Sequence, residues 1–164
     1  MTKFVRGKRA QISRTPVRAA LRLDSPLRPR VKDGLGAVTN AHRIYFHETV
    51  RASFADSLDI DDALREGREQ ENRWDYLLGH GPTKQVFGVE PHSAANSEIS
   101  TVINKRLAAR RQLQDHLCDG KVVVKWLWVA SGKVYLMPME KAILRLAQNG
   151  IEFVGKTIMH KHIG

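Results

Sequence analysis

Residues 74–92 read WDYLLGHGPTKQVFGVEPH. Two short apolar runs, Trp74–Gly79 and Gln85–Glu90, flank the turn-rich linker His80-Gly81-Pro82-Thr83-Lys84. Apolar runs of this length around a Gly/Pro linker predict two adjacent strands joined as a hairpin. In a hairpin the start of the first strand lies beside the end of the second. Asp75 and Glu90, 15 positions apart in sequence, then become neighbours. Pro91 and His92 follow at the strand end.

Working outward, Glu98–Leu117 carries Ile99, Val102, Ile103, Leu107, Leu113 and Leu117 at helical spacing, with Lys105, Arg106, Arg110 and Arg111 beside them. Lys121–Ala130 is β-branched and aromatic, which favours a strand. Trp126 and Trp128 share one face of it, and burial beneath a helix is the expected use of that face. Ser131-Gly132 predicts a turn into a second hairpin, Lys133–Met137. Pro138 fits the first turn of a helix that Asn149-Gly150 ends, and Ile151–Val154 reads as a final strand. Upstream, Ser57–Asp62 predicts a helix start running to about Asn72. Residues 40–55 read as a helix, with a short strand at Arg43–His47 as the alternative. The expected fold is α/β (α+β): a central mixed sheet of about five strands flanked by helices, formed by residues 38–164 as a single domain. The exposed edge of the first hairpin would permit a homodimer or a protein complex.

The chain has 164 residues, enough for one domain with a real core, and its 42% hydrophobic and 27% charged residues are ordinary for a globular protein. A single cysteine, Cys118, excludes an intrachain disulfide framework and a cysteine-rich zinc site. No apolar run is long enough for a membrane span. Together these predict an intracellular, cytoplasmic chain, in keeping with association with a bacterial-type nucleoid.

The formal net charge is +10, and it is unevenly placed. Residues 1–32 hold ten Lys or Arg against one acid, Asp24, whereas the remaining 132 residues hold 17 against 16. Prolines punctuate this segment, and residues 1–37 read as a basic, loosely attached N-terminal arm. Arg6, Lys8, Arg9, Arg14 and Arg18 of the arm, with Arg106 and Arg110 of the central helix, are the candidate nucleic-acid contacts, to DNA or RNA, because clustered cations release counterions from a phosphate backbone.

Two carboxylates on adjacent strands, Asp75 and Glu90, suit a hard divalent cation, Mg²⁺ or Mn²⁺. Such an ion polarises a phosphodiester and activates a water. His92 shares the Glu90 face and is placed to act as a base.

Asp75, then Glu90-Pro91-His92, then a helix bearing Lys105, resembles the PD-(D/E)XK nuclease superfamily over residues 58–130. The resemblance implies a restriction-endonuclease-like core and a metal-dependent nuclease hydrolysing nucleic-acid phosphodiester bonds. It implies Asp75, Glu90 and the Pro91 carbonyl as metal ligands. His92 stands at the lysine position, and Lys105 of the following helix is a candidate substitute. Glu71 or Glu69 would supply a further acid. The family core has three strands between its helices, where the sequence shows two. The other reading is a non-catalytic nucleic-acid-binding or protein-interaction module on the same fold.

Overall fold

The computed structural model describes residues 15–136 and 140–163. Its centre is one open, mixed sheet of six strands in the order β1-β2-β3-β4-β5-β6. The strands are β1 (Lys32–Asp33), β2 (Phe54–Asp59), β3 (Tyr76–His80), β4 (Gln85–Ala95), β5 (Val123–Tyr135) and β6 (Ile151–Phe153). The first four form an antiparallel meander, and β5 and β6 then add in parallel. Parallel neighbours need crossovers, and helices supply them. The helix α2 (Ile99–Leu113) links β4 to β5, and α3 (Glu140–Gln148) leads into β6. An earlier short helix, α1 (Pro16–Ala20), precedes the sheet.

Alternate residues of each strand point to opposite faces, so the sheet buries two separate cores. Leu77, Val86, Trp126 and Trp128 face the side covered by α1, α2 and α3. Leu78, Phe87, Leu127 and Val129 face the other side, beneath Phe46, Val50, Ile158 and Ile163. The two tryptophans of β5 are buried core residues, as expected.

The mixed sheet with flanking helices and the β3–β4 hairpin agree with the sequence. Five features differ from it. First, the hairpin edge is not free, because β2 and β5 cover both of its sides. It offers no edge for a dimer. The sheet ends instead in two short strands, β1 and β6.

Second, Ser131-Gly132 makes no hairpin. β5 runs through it and pairs again with β4 at Ala94↔Val134 and Ala95↔Tyr135. Between His92↔Ala130 and Ala94↔Val134 the register advances two residues on β4 and four on β5. That is a bulge, and Gly132 takes it up at φ +125°.

Third, the helix expected from Ser57 to Asn72 is a single turn, Ile60–Ala63. Asp59 caps it by accepting from Asp62 N–H at 2.9 Å. Fourth, residues 40–55 form two one-turn helices, Asn40–Arg43 and Glu48–Arg51, and the first residues of β2.

Fifth, residues 15–37 are part of the folded body and not a loose arm. Val17, Leu21, Leu27 and Val31 are buried in the α2-side core. Asp56, buried in β2, accepts from the backbone N–H of Val17 and of Arg18, each at 3.0 Å, and so caps α1 from a distance. The cationic candidates Arg6, Lys8, Arg9 and Arg14 lie outside the described residues.

Candidate active site

The site forms where β2 ends and β3 begins, beside the middle of β4, which runs on through Pro91 and His92 to Ala95 and does not end at Glu90 as the sequence suggests. Tyr76 pairs with Val89 and with Asp59, so Asp75 lies beside Glu90 at the next step of the ladder. Asp75 N–H donates to Glu90 Oε1 at 3.0 Å. The Asp75 backbone is pinned from β2 as well, its carbonyl accepting from Ile60 N–H at 3.0 Å. The loop before it is held by Arg73, which pairs with Asp61 at 2.9 Å.

Glu90 is 1% exposed, yet it is a carboxylate. A buried charge needs partners, and two converge on its Oε2. Lys105 Nζ of α2 donates to it, and His92 Nδ1 stands 3.6 Å away. Lys105 is 15 residues after Glu90, and the first turns of α2 carry it back over the strand end. The second ring nitrogen of His92, Nε2, is 2.9 Å from Glu98 Oε2. The His92 carbonyl accepts from Trp128 Nε1 at 3.2 Å, which fixes the strand end against β5. Pro91 is buried between the two, opposite Val129.

The electrostatics divide the two carboxylates. Burial, and then the charge of Glu90, push the Asp75 carboxyl up to about 7. Lys105 offsets part of that rise, while Asp61 and Asp59 add to it. No hydrogen bond to the Asp75 side chain occurs among the described residues. The nearby carboxylate of Glu90 and, to a smaller extent, the hydrogen-bonded Glu98 raise His92 above the ordinary histidine range, against the effect of burial.

The structure therefore brings Asp75, Glu90, His92 and Lys105 into one cluster. Glu98 joins it through His92, and Asp59 acts on it by charge alone, while its side chain caps the following turn; neither is legible as a site residue from sequence. Glu98 reads as an acid opening a helix and Asp59 as a cap, and both also hold those positions. Glu71 and Glu69 do not join. Glu71 pairs with Arg68 at 3.5 Å, and Glu69 accepts from Gly67 N–H, on an exposed turn.

Arg18, expected among the phosphate contacts, is occupied inside the fold. Its guanidinium pairs with Asp33 at 2.8 Å and donates to the Val31 carbonyl at 3.1 Å. Arg106 and Arg110 lie on the opposite flank of α2 from Lys105, along a separate cavity.

The donor set suits a hard cation in chemistry. Asp75 and Glu90 are adjacent carboxylates in a poorly solvated corner, and the Asp75 side chain is the one without a hydrogen-bond donor. Among the described residues no three His, Cys, Asp or Glu side chains form a metal-holding group. Mg²⁺ takes one or two carboxylates and fills its remaining positions with water and substrate oxygen. No helix among the described residues is long and apolar enough to cross a membrane. Comparison with protein-family models gives no match for this chain, and comparison with curated proteins and with solved structures gives none either.

Proposed function

We propose that this chain is a metal-dependent nuclease-like protein that hydrolyses nucleic-acid phosphodiester bonds. The observation that carries the reading is the convergence of Asp75, Glu90 and Lys105 at one corner of the sheet. The order of elements supports it too. β2, β3 and β4 are antiparallel, α2 follows, and β5 returns parallel to β4. On this reading β2 would be the third strand of a restriction-endonuclease-like core.

Asp75 and Glu90 would hold Mg²⁺ or Mn²⁺, with the Pro91 carbonyl as a third oxygen. When bound, the ion lowers the pKa of a water and polarises the phosphoryl oxygen. Lys105, 17% exposed at its side chain, presents an ammonium at the same carboxylate. Freed from Glu90, it neutralises charge that develops on the phosphate. His92 reaches solvent at one edge and is held at Nε2 by Glu98; with an ion drawing Glu90 away, its Nδ1 would be released and, in the neutral ring, would take a proton from the attacking water. Asp75, raised by burial and by the charge of Glu90, is the perturbed carboxyl of the cluster, and such groups gather at functional sites.

One feature favours the second reading, a nucleic-acid-binding module without cleavage. Lys105 and His92 already satisfy Glu90, so the cluster is stable as a purely structural polar corner.

A cleavage assay separates them. Labelled single-stranded DNA, duplex DNA and RNA are incubated with the protein in Mg²⁺, Mn²⁺ and EDTA, beside Glu90→Gln. The nuclease reading expects cutting that requires the metal and falls at least about 100-fold in the variant, the scale of losing a group that stabilises transition-state charge. Binding without cutting under every metal condition selects the module.

A further inference from the structure

The flank of α2 that faces away from Lys105 borders a cavity of about 800 Å³. Arg22, Arg106, Arg110, Arg111 and Lys121 line it. Among the described residues, the last four have no carboxylate partner. Arg22 reaches Asp119 only at 3.9 Å. Arg106 occupies a core-facing position of the helix, one turn after Val102 and Ile103. Its guanidinium lies 5.9 Å from the centre of the buried Trp126 ring. Its Nε is enclosed and makes no hydrogen bond among the described residues. Four unpaired cations, one of them partly buried, repel one another and call for an anion.

A second cavity of about 420 Å³ shares Gly120, Lys121 and Val122 with the first and adds Lys84. Both border the loop before β5, and the surface that they flank there is the trough. Its lining is not purely cationic. Leu107, 42% exposed, and Val122, 65% exposed, line it as well, and Asp119 is the one acid in the lining of the larger cavity. A duplex offers such a surface only phosphates and groove edges, with its base faces stacked inside. An unpaired strand offers phosphates and free base faces together.

We infer that this trough binds a single strand of nucleic acid, its phosphates on Arg106, Arg110, Arg111 and Lys121 and its bases against Leu107 and Val122. The inference shares its class of ligand with the nuclease reading but needs no hydrolysis.

The test is equilibrium binding by fluorescence anisotropy in EDTA, where metal-dependent cleavage is silent. Labelled 20-mers of single-stranded DNA, single-stranded RNA and the matching DNA duplex are titrated against the full chain and against Arg110→Ala/Arg111→Ala and Lys121→Ala. These residues are exposed, so the variants keep the fold. The expected result is at least tenfold tighter binding of a single strand than of the duplex. The double variant should weaken it about tenfold, and the slope of log affinity against log salt should fall by about 0.7 per cation removed. Leu107→Ser should weaken the single strand without changing that slope. Equal affinity for the duplex overturns the inference, as does full affinity in the double variant. Displacement of the strand by millimolar inorganic pyrophosphate, with no discrimination between strand and duplex, overturns it in favour of a small phosphate ligand. Failure of cleavage in Mg²⁺ leaves the binding result standing, so the two readings fail separately.

Discussion

At the scale of single residues, Asp75 governs how the molecule responds to pH. Its carboxyl titrates near 7 in the fold, from an ordinary value of 3.8. Between those values the folded chain holds a proton that the unfolded chain has released, so acidification stabilises the fold. His92 acts in the same direction by a different route. Its raised value means the charged form is favoured in the fold, a contribution present below the unfolded histidine value and lost as pH rises past the folded one. These two groups therefore favour the metal-free fold at pH 5.5 over pH 8, against His80, His116 and His162, whose values are lowered by burial and act the other way. Asp75→Asn removes a poorly solvated charge from beside Glu90. It should raise the melting temperature at pH 8 by about 3–6 °C, equivalent to roughly 1–2 kcal/mol in a chain of this size. A shallower pH dependence should remain from His92. A steeper one in the variant would show that Asp75 does not titrate as described. The same variant should lose stabilisation by Mn²⁺, which in the parent should be larger at pH 8 than at pH 6 because the ion competes with the Asp75 proton. The four clustered residues were legible because hairpin pairing converts a spacing of 15 into adjacency. Glu98 and Asp59 were hidden because an acid before a helix already has a sufficient explanation in capping.

At the scale of elements, the sequence pattern succeeds where one face is apolar and fails where buried polar groups interrupt it. β2 reads FADSLD, and nothing in that string alternates cleanly. Asp56 and Ser57 are both buried, one capping α1 and the other accepting from Ala37 N–H at 2.9 Å. Their partners lie about 20 and 40 residues away, outside any local window. Asp56→Ala would leave the Val17 and Arg18 amides without that acceptor, a cost of about 1–3 kcal/mol. The melting temperature should fall accordingly, and Asp56→Asn should recover part of it by keeping one acceptor. In α2 the error is one of phase. Leu107 points outward and Ala109 inward, while Arg106 takes a core-facing position that the apolar count assigned to leucine. The reason lies across the interface. Trp126 fills the space under the helix and faces Gly88 on β4, where a Cβ would fall 2.4 Å from Trp126 Cε3. Gly88→Ala would crowd both Trp126 and Trp74, whose Nε1 lies 3.0 Å from the same Cβ and whose ring meets Trp126 edge-on at 5.1 Å. Overpacking of that kind costs about 1–3 kcal/mol. The variant should melt several degrees lower, with a red-shifted tryptophan emission as the ring loses its dry surroundings. Unchanged melting and emission would mean that the two indoles have room to move.

At the scale of the whole molecule, the question is where the excess positive charge resides. Residues 15–37 look like an arm by composition, but their apolar residues complete the α2-side core and two of their five cations are held in close ion pairs. Arg18 pairs with Asp33, and Arg30 pairs with Asp62. Composition counts charges without knowing which acids elsewhere in the chain meet them, and that is why this segment misleads. Removing residues 1–37 should therefore yield a chain without a cooperative thermal transition, since Val17, Leu21, Leu27 and Val31 leave the core with it. Residues 1–14 pose a different question, because they carry five Lys or Arg and no acid. The second residue after them, Pro16, lines the smaller cavity of the basic trough. A polyanion lying in the trough then passes close to the point where these cations join the fold. Removing residues 1–14 should lower affinity for a single-stranded oligonucleotide and reduce the salt slope by up to about 3.5, at 0.7 per cation that contacts a phosphate. The residual slope should then respond to Arg110→Ala/Arg111→Ala as it does in the full chain, because separate phosphate contacts add. An unchanged slope after truncation would confine the polyanion to the trough. A slope that vanishes altogether would instead place every phosphate contact in the first 14 residues and leave the arginines of α2 without a ligand.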